Sequence, residues 1–371
     1  WGGGRYRGHD NVYSLEYLGN GICLLAGGYN EGDGSVWRSA DFGATWTDLR
    51  GSNSSGTANT GNVGWNNNSV FDSGSSYYSS TDSWWVLHLK YVGNGVVLAN
   101  RRAVRTSGGS SSTYPDLIRS TDYGINWSIV NTTFLNTGQL LTENLGNGRV
   151  VLGTYSGNSS TETNSGNLYE STDYGQTWNS TEIFSPGVKR INKLRLNPEN
   201  NTLLVGCKDN SDEPTVYIVG DDNSADYITS SDAASYDYFG IDVSLSNDAS
   251  ILAIGASGWE GDTVDQGGVY IYDWTDTNSD GNPDTFVQRG DVIESNNPST
   301  DGHFGYGVEL NNAGTTLIVG SQNAGKAEIF NWNSSTSSWD HAVTVSDPVS
   351  GGVNFGASVT IDSGSTKFVV G

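Results

Sequence analysis

The chain has 371 residues and a formal charge of −23, with a sequence pI near 4.2, so phosphate backbones and anionic lipid repel it and nucleic acid is a poor partner. Fifty glycines, 12 Trp and 19 Tyr stand beside abundant Asn, Ser and Thr, the balance that many short strands joined by polar turns require. No run of about 18 apolar residues occurs, so no transmembrane helix is expected; without Met or a signal peptide the chain reads as processed or partial.

In chain order, the first unit sets two apolar strands around Gly19-Asn20-Gly21 and then reaches "SADFGATW" at residues 39–46. A Gly/Ser/Asn-rich insert follows at 50–83, where Trp65, Phe71, Tyr77 and Tyr78 suggest that part of it packs. The second unit pairs Gly93-Asn94-Gly95 with "STDYGINW" at 120–127. The third pairs Gly146-Asn147-Gly148 with "STDYGQTW" at 171–178. Asn-Gly between alternating apolar runs is a hairpin signal, because both residues accept positive φ. Two such signals in one order, three times over, define a repeat.

After residue 185 comes a fourth unit, "INKLRLNPENNTLLVGCKD" then "TVYIVGDD", without the aspartate motif. A second repeat type begins at residue 238, in which Phe239, Phe304 and Phe355 each open a strand. A unit of about 50 residues with four short strands has the size of a β-propeller blade. The reading is therefore all-β: a β-propeller of about seven four-stranded blades, six complete and two strands of a seventh. Residues 1–230 carry the first repeat type and 231–371 the second, within one propeller.

Each aspartate motif has a local physical logic. The carboxylates of Asp41, Asp122 and Asp173 accept backbone N–H groups across a tight turn. Gly43, Gly124 and Gly175 take a conformation closed to a Cβ, and Trp46, Trp127 and Trp178 anchor the turn. Cys23 and Cys207 lie in apolar strand-like runs, which favours two buried thiols over a disulfide.

These motifs resemble the Asp-box of sialidases, sortilin-type receptors and xyloglucanase-type glycosidases over roughly residues 12–185; "STDYGINW" departs only at Asn126. The second repeat type resembles the FG-GAP repeat of integrin α-subunit propellers over roughly residues 236–371. Both resemblances imply a propeller, and the first implies a structural role for the aspartates at the turn joining third and fourth strands. A sialidase-like site would need an arginine triad. The nearest match to its first arginine, Tyr6-Arg7-Gly8, lacks the Ile and Pro of that motif, and Arg38 and Arg119 directly precede Asp-boxes. A xyloglucanase-like pair of facing carboxylates is not singled out, and His9, His88, His303 and His341 are scattered. No catalytic residue is named.

One acidic loop, residues 276–284, is a candidate calcium site. Asp276, Asn278, Asp280 and Asp284 occupy ligand positions, Asn282 would offer its carbonyl and Gly281 permits the turn, while Val287 stands where a bidentate Glu is usual. A solvated hairpin is the alternative. N-glycosylation sequons occur at Asn53, Asn67, Asn126, Asn131, Asn158, Asn179, Asn200 and Asn333. The functional expectation is an extracellular structural or adhesive propeller within a larger secreted or surface assembly, contacting other protein chains or glycans. The alternatives are an Asp-box-type glycoside hydrolase and a non-catalytic glycan-binding propeller.

Overall fold

A computed structural model of the chain describes residues 11–28, 35–49, 83–107, 110–130, 140–154, 167–181, 190–196, 202–208, 214–219, 225–230, 232, 236–277, 285–348, 354–362, 365 and 367–371. Every regular element among them is a strand. The insert at 50–83 lies outside them, apart from Ser83.

The strands fall into consecutive antiparallel sheets, each running in chain order from first to fourth strand. The first holds β1 (Asn11–Gly19), β2 (Ile22–Gly28), β3 (Ser35–Ser39) and β4 (Thr47–Asp48). The second holds β5 (Ser83–Gly93), β6 (Val96–Ser107), β7 (Ser110–Ser120) and β8 (Ser128–Ile129). The third holds β9 (Leu140–Gly146), β10 (Arg149–Thr154), β11 (Leu168–Ser171) and β12 (Asn179–Thr181). The fourth holds β13 (Arg190–Leu196), β14 (Leu203–Lys208), β15 (Pro214–Val219) and β16 (Ala225–Thr229). The fifth holds β17 (Phe239–Leu245), β18 (Ile251–Ala256), β19 (Gly268–Thr275) and β20 (Thr285–Gln288). The sixth holds β21 (Phe304–Leu310), β22 (Thr316–Ser321), β23 (Lys326–Asn333) and β24 (Ser338–Ser346). A two-stranded sheet of β25 (Val359–Ile361) and β26 (Phe368–Val370) follows. Six four-stranded sheets and a two-stranded one match the predicted count.

Phe239 and Phe304 open β17 and β21 as expected, but Phe355 does not open β25. The backbone is left-handed at Asn354 (φ 76°) and Gly356 (φ 92°), and Ala357 N–H closes a turn on the Asn354 carbonyl at 3.0 Å. The same left-handed flanks and turn surround Phe239 and Phe304, which pair with Ala256 and Ser321, two residues beyond the partners of Val243 and Val308. Val359 pairs with Val370, so the position that would face Phe355 falls past Gly371 and pairing is seen from Val359.

The chain divides into two compact units, residues 1–182 and 183–371; the change of repeat type at 230/231 lies inside the second. Within each unit the first strand of a sheet packs on the first strand of the next: β1 on β5 and β5 on β9, then β13 on β17, β17 on β21 and β21 on β25. Apolar faces meet between sheets. Leu24, Ala26 and Val36 of the first sheet pack with Leu89, Val97 and Trp127 of the second. Leu252, Ile254 and Phe239 of the fifth pack with Leu204 and Val216 of the fourth. Second strands lie deepest: all six residues of β18 are buried, the near-continuous apolar run of a strand covered on both faces.

The units use different seams. In the second, glycines meet: a Cβ on Gly255 would run into the carbonyl oxygen of Gly305, and one on Gly206 or Gly320 would meet Gly240 or Gly356 in the same way. In the first, the seam is built from arginine and leucine, as described below.

Candidate functional site

Each first strand is a sheet edge, hydrogen-bonded to one neighbour only, so its outward N–H groups need acceptors from elsewhere. Polar side chains of the preceding sheet provide them, two residues apart because side chains alternate along a strand. Ser14 Oγ accepts from Leu89 N at 3.0 Å and Glu16 Oε1 from Tyr91 N at 2.8 Å. In the second unit Asp242 Oδ2 accepts from Val308 N at 3.1 Å and Ser244 Oγ from Leu310 N at 2.9 Å.

Charged side chains on the same strands pair across sheets. Lys90 Nζ donates to both oxygens of Glu143 at 2.9 and 3.0 Å. Lys193 Nζ lies 2.7 Å from Asp242 Oδ1. Arg195 Nη2 donates to Glu309 Oε2 at 2.6 Å, reaching from the fourth sheet to the sixth. Burial pushes the Glu309 carboxyl above its ordinary range; Arg195 pulls it down, Asp242 raises it again, and the net effect is upward. The cluster of Lys193, Arg195, Asp242 and Glu309 is the candidate site. It holds two carboxylates in unlike surroundings, and each of its charges has an opposite partner within 3 Å. Sequence reading passed over these four residues. Their signal was the alternation of Asp242 and Ser244 with Val243 and Leu245 in an otherwise apolar run.

The three predicted aspartates lie in the turns between third and fourth strands. Asp173 Oδ1 accepts from Gln176 N (3.0 Å), Thr177 N (2.8 Å) and Ser171 Oγ (2.8 Å), while Oδ2 accepts from Thr177 Oγ1 at 2.6 Å. Asp41 makes the corresponding bonds to Thr45 and Ser39. At Asp122 the Asn126 side chain takes the place of threonine, its Nδ2 donating to Oδ2 at 2.6 Å, so the departure from the motif leaves the bond in place. Burial pushes Asp122 and Asp173 up, but these hydrogen bonds outweigh it and hold both below the usual carboxylate range. At Asp41 the Thr45 hydroxyl leads the lowering. The indole N–H groups of Trp46, Trp127 and Trp178 donate to the carbonyls of Gly43, Gly124 and Gly175.

The two repeated signals are joined in space. Phe42 N donates to Gly21 O at 2.8 Å, Tyr123 N to Gly95 O at 2.8 Å and Tyr174 N to Gly148 O at 2.9 Å. Each aspartate turn thus closes on its own sheet's Gly-Asn-Gly hairpin. Successive sheets are then fastened: Arg38 Nε donates to Tyr123 O at 3.0 Å and Arg119 Nε to Tyr174 O at 2.8 Å. Leu24 and Leu98 fill the space over Gly124 and Gly175. In the third sheet Glu170 stands where the arginine would be and pairs instead with Arg149 at 2.9 Å.

The fourth unit lacks the full motif, but the Ser-x-Asp bond recurs at another place, after β16 and before β17. Ser230 Oγ donates to Asp232 Oδ1, and Tyr270 OH and Trp259 Nε1 donate to the same carboxylate at 2.7 and 3.2 Å. Ser246 and Asp248 repeat the Ser-x-Asp bond at 2.7 Å between β17 and β18. Neither site carries the glycine and tryptophan of the eight-residue motif at its spacing, so neither stands out in the sequence.

Of the candidate calcium loop, Asp276 is partly buried, whereas Asn278, Asp280, Asn282 and Asp284 lie outside the described residues. Among the described residues no group of three or more His, Cys, Asp or Glu is placed to hold a metal. Asn53, Asn67, Asn131, Asn158 and Asn200 also lie outside them. Asn126 and Asn179 are exposed, and Asn333 Nδ2 donates to Asp340 at 2.8 Å. Neither cysteine is in a disulfide; Cys207 is buried as expected, its Sγ–H donating to Thr215 O at 3.4 Å, but Cys23 is only partly buried, because it alternates along β2 with the core residue Leu24 and faces the other side of the sheet. His88 Nε2 lies 3.2 Å from Thr142 O, and His341 Nε2 lies 3.0 Å from Thr344 Oγ1.

The FG-GAP repeat model matches residues 224–272, from β16 to β19. No curated protein sequence matches the chain. Among solved structures, the Dos1 propeller superposes with a TM-score of 0.56 at 11% identity, covering 98% of this chain and 76% of that one. An ancestral GH74 enzyme gives 0.52 at 14% identity over 92% of this chain and 39% of the enzyme. The fold is a β-propeller. Its blades number about seven, the last represented by β25 and β26. At such identities the likeness speaks for the fold alone. No helix among the described residues is long and apolar enough to cross a membrane.

Proposed function

We propose that the chain is a structural or adhesive propeller module of an extracellular assembly, whose partners are other protein chains or glycans. The observation that carries this reading is the state of the first strands, the surface on which a propeller can gather groups from several blades. Lys90, Glu143, Lys193, Arg195, Asp242 and Glu309 are committed to pairing one blade with another. Ser14, Glu16, Asp242 and Ser244 cap backbone amides of the next blade. Side chains occupied in this way hold blades together and leave recognition to loops and outer surfaces. The match of residues 224–272 to the FG-GAP repeat supports an extracellular location. Sequons at the exposed Asn126 and Asn179 fit a glycosylated surface, and a loop at 276–284 with modest calcium affinity fits the same setting.

A second reading rests on Glu309. A desolvated carboxyl beside another carboxylate is the arrangement from which acid–base pairs are made, and it favours glycoside hydrolysis over other chemistry. A panel of sialylated, xyloglucan and arabinan substrates decides between the two. No turnover above background is expected, whereas hydrolysis abolished by Glu309→Gln would replace the first reading with the second.

A further inference from the structure

The second blade is longer than the others. Its first three strands run to 11, 12 and 11 residues. The second strands of the other four-stranded sheets have six or seven, and their third strands four to eight. The surplus lies at the end away from Gly93-Asn94-Gly95, where pairing of β6 with β7 continues to Ser107 opposite Ser110. β5 follows as far as Ser83, opposite Val104. The blade thus carries a three-stranded extension of some five residues, about 17 Å of strand.

This extension departs from the rest of the chain in charge. None of the 41 acidic residues falls between Asp82 and Asp116, an interval that holds Lys90, Arg101, Arg102 and Arg105. Lys90 is engaged by Glu143. The three arginines lie within five positions of β6, and the register sets one acid beside them, Asp116 opposite Arg101. Burial of a segment so unevenly charged is costly. Strand pairing also orders the residue types. Ala103 lies between Trp84 of β5 and Tyr114 of β7. Arg101 and Arg105 flank that row on the same face of β6, each about 7 Å along the strand. Arg102, on the other face, lies between Trp85 and Pro115.

We propose that this extension binds an acidic polysaccharide, one whose sugars bear carboxylate or sulfate groups. A guanidinium takes such a group through two parallel N–H bonds, and tryptophan and tyrosine add an apolar ring with a polar tip. Basic positions alternating with aromatic ones suit a polymer in which acid groups alternate with ring faces. The attraction is local. At −23 the molecule repels polyanions at a distance, but at physiological salt a charge is felt over only about 8 Å, so a segment lying on the extension answers to the arginines next to it. Single-stranded nucleic acid combines the same two chemistries; the choice of a glycan rests on the extracellular reading above.

Binding of the intact chain to dextran sulfate and to polygalacturonate, with neutral dextran and an oligodeoxythymidylate as comparisons, tests this. The first polymer carries sulfate and the second carboxylate, so the tighter of the two names the acid group. Binding of at least one of them, and not of dextran, is expected, weakening as salt rises from ~0.15 M to ~0.5 M. Replacing Arg101, Arg102 and Arg105 together by Gln should weaken it about tenfold or more, while Lys367→Gln, in the other unit, should leave it unchanged. Arg102→Gln with Arg105→Gln, which keeps Arg101 opposite Asp116, is the second variant, and far-UV circular dichroism verifies that each folds. Dextran bound as well as the acidic polymers, no polymer bound, or binding indifferent to both arginine variants overturns the proposal. Preference for the oligonucleotide overturns it and assigns the extension to nucleic acid. Arginine-dependent self-association in place of polymer binding overturns it too and assigns the extension to the acidic surface of a second copy. Turnover in the hydrolysis assay would displace the module reading without moving these affinities, so the two failures are separable.

Discussion

The Nε of Arg119, in the second blade, donates to the carbonyl of Tyr174, in the third, at 2.8 Å. Burial pushes the Arg119 guanidinium down and nearby Asp173 opposes it, so a partly desolvated charge depends on a backbone dipole in the neighbouring blade. Arg119→Ala is expected to cost about 1–3 kcal/mol, the range for a hydrogen bond to a charged group, and Arg119→Lys should not rescue it because lysine has no Nε fork. Urea denaturation measures both; equal stability of wild type and Arg119→Ala would show that the contact is ornamental.

The glycine seam makes a sharper forecast. Gly305 (φ +88°) and Gly290 (φ +71°) are both left-handed, but a Cβ at Gly305 meets the Gly268 carbonyl and Ala256 N, whereas Gly290 has open space. Gly290→Ala should cost about 1 kcal/mol from backbone conformation alone. Gly305→Ala adds overpacking and should cost about 3 kcal/mol or more. Chemical denaturation of the pair separates the two contributions, and equal losses would mean that the seam relaxes freely.

At Asn126 the side-chain amide does the work of a threonine hydroxyl. Asn126→Thr should therefore be neutral within about 0.5 kcal/mol, while Asn126→Ala removes a charge-assisted bond and should cost about 1–2 kcal/mol. The order of the two melting temperatures is the readout, and Ala matching Thr would refute the equivalence.

Acid should unfold the protein through its turns. Asp41, Asp122, Asp173, Asp232 and Asp248 are all held below the ordinary carboxylate range. An unfolded chain takes up protons at these sites near pH ~3.9, before the folded one does. Their contribution is thus complete above that value and is lost as pH falls through the lower folded values. Glu309 runs the other way: its raised value lets the folded chain keep a proton longer, so ionising it at higher pH costs stability. Urea midpoints should drop steeply below pH ~4, and Asp173→Asn should flatten that drop; a midpoint unchanged on acidification would contradict the assignment.

Removing Arg195 leaves Glu309 buried beside Asp242 with less compensation. Arg195→Ala should destabilise by about 1 kcal/mol at neutral pH, discounted for the partial exposure of the pair, and less in mild acid, where Glu309 can hold a proton. Adding Glu309→Gln should recover most of the loss. A double-mutant cycle at two pH values measures this, and additivity would deny the coupling.

Much of the architecture was readable because its signals are local. Asn20-Gly21 and Asp41-x-Gly43 act within a few residues of themselves, so their chemistry is spelled out contiguously. What was hidden involves a backbone acceptor or donor in another blade. Arg38 shows nothing of the Tyr123 carbonyl 85 residues away, and Gly255 shows nothing of Gly305. The Lys193, Arg195, Asp242 and Glu309 cluster was lost for the same reason, since three separate strands contribute and none carries a motif. Asp232 carries only the Ser-x-Asp start of the eight-residue motif, and Phe355 shares the left-handed flanks of Phe239 and Phe304 but not their cross-strand partner, which the Phe-Gly pair does not encode.

The capping of first-strand amides by the preceding blade has a consequence for how such a chain can change. Asp242 and Ser244 reach Val308 and Leu310 at a spacing of two on both strands. Deleting or inserting one residue in β17 would turn both acceptors to the opposite face at once. Substitutions that keep an oxygen at these places could accumulate, while a single-residue gap would unseat a whole blade. Length, more than identity, is what these strands must keep.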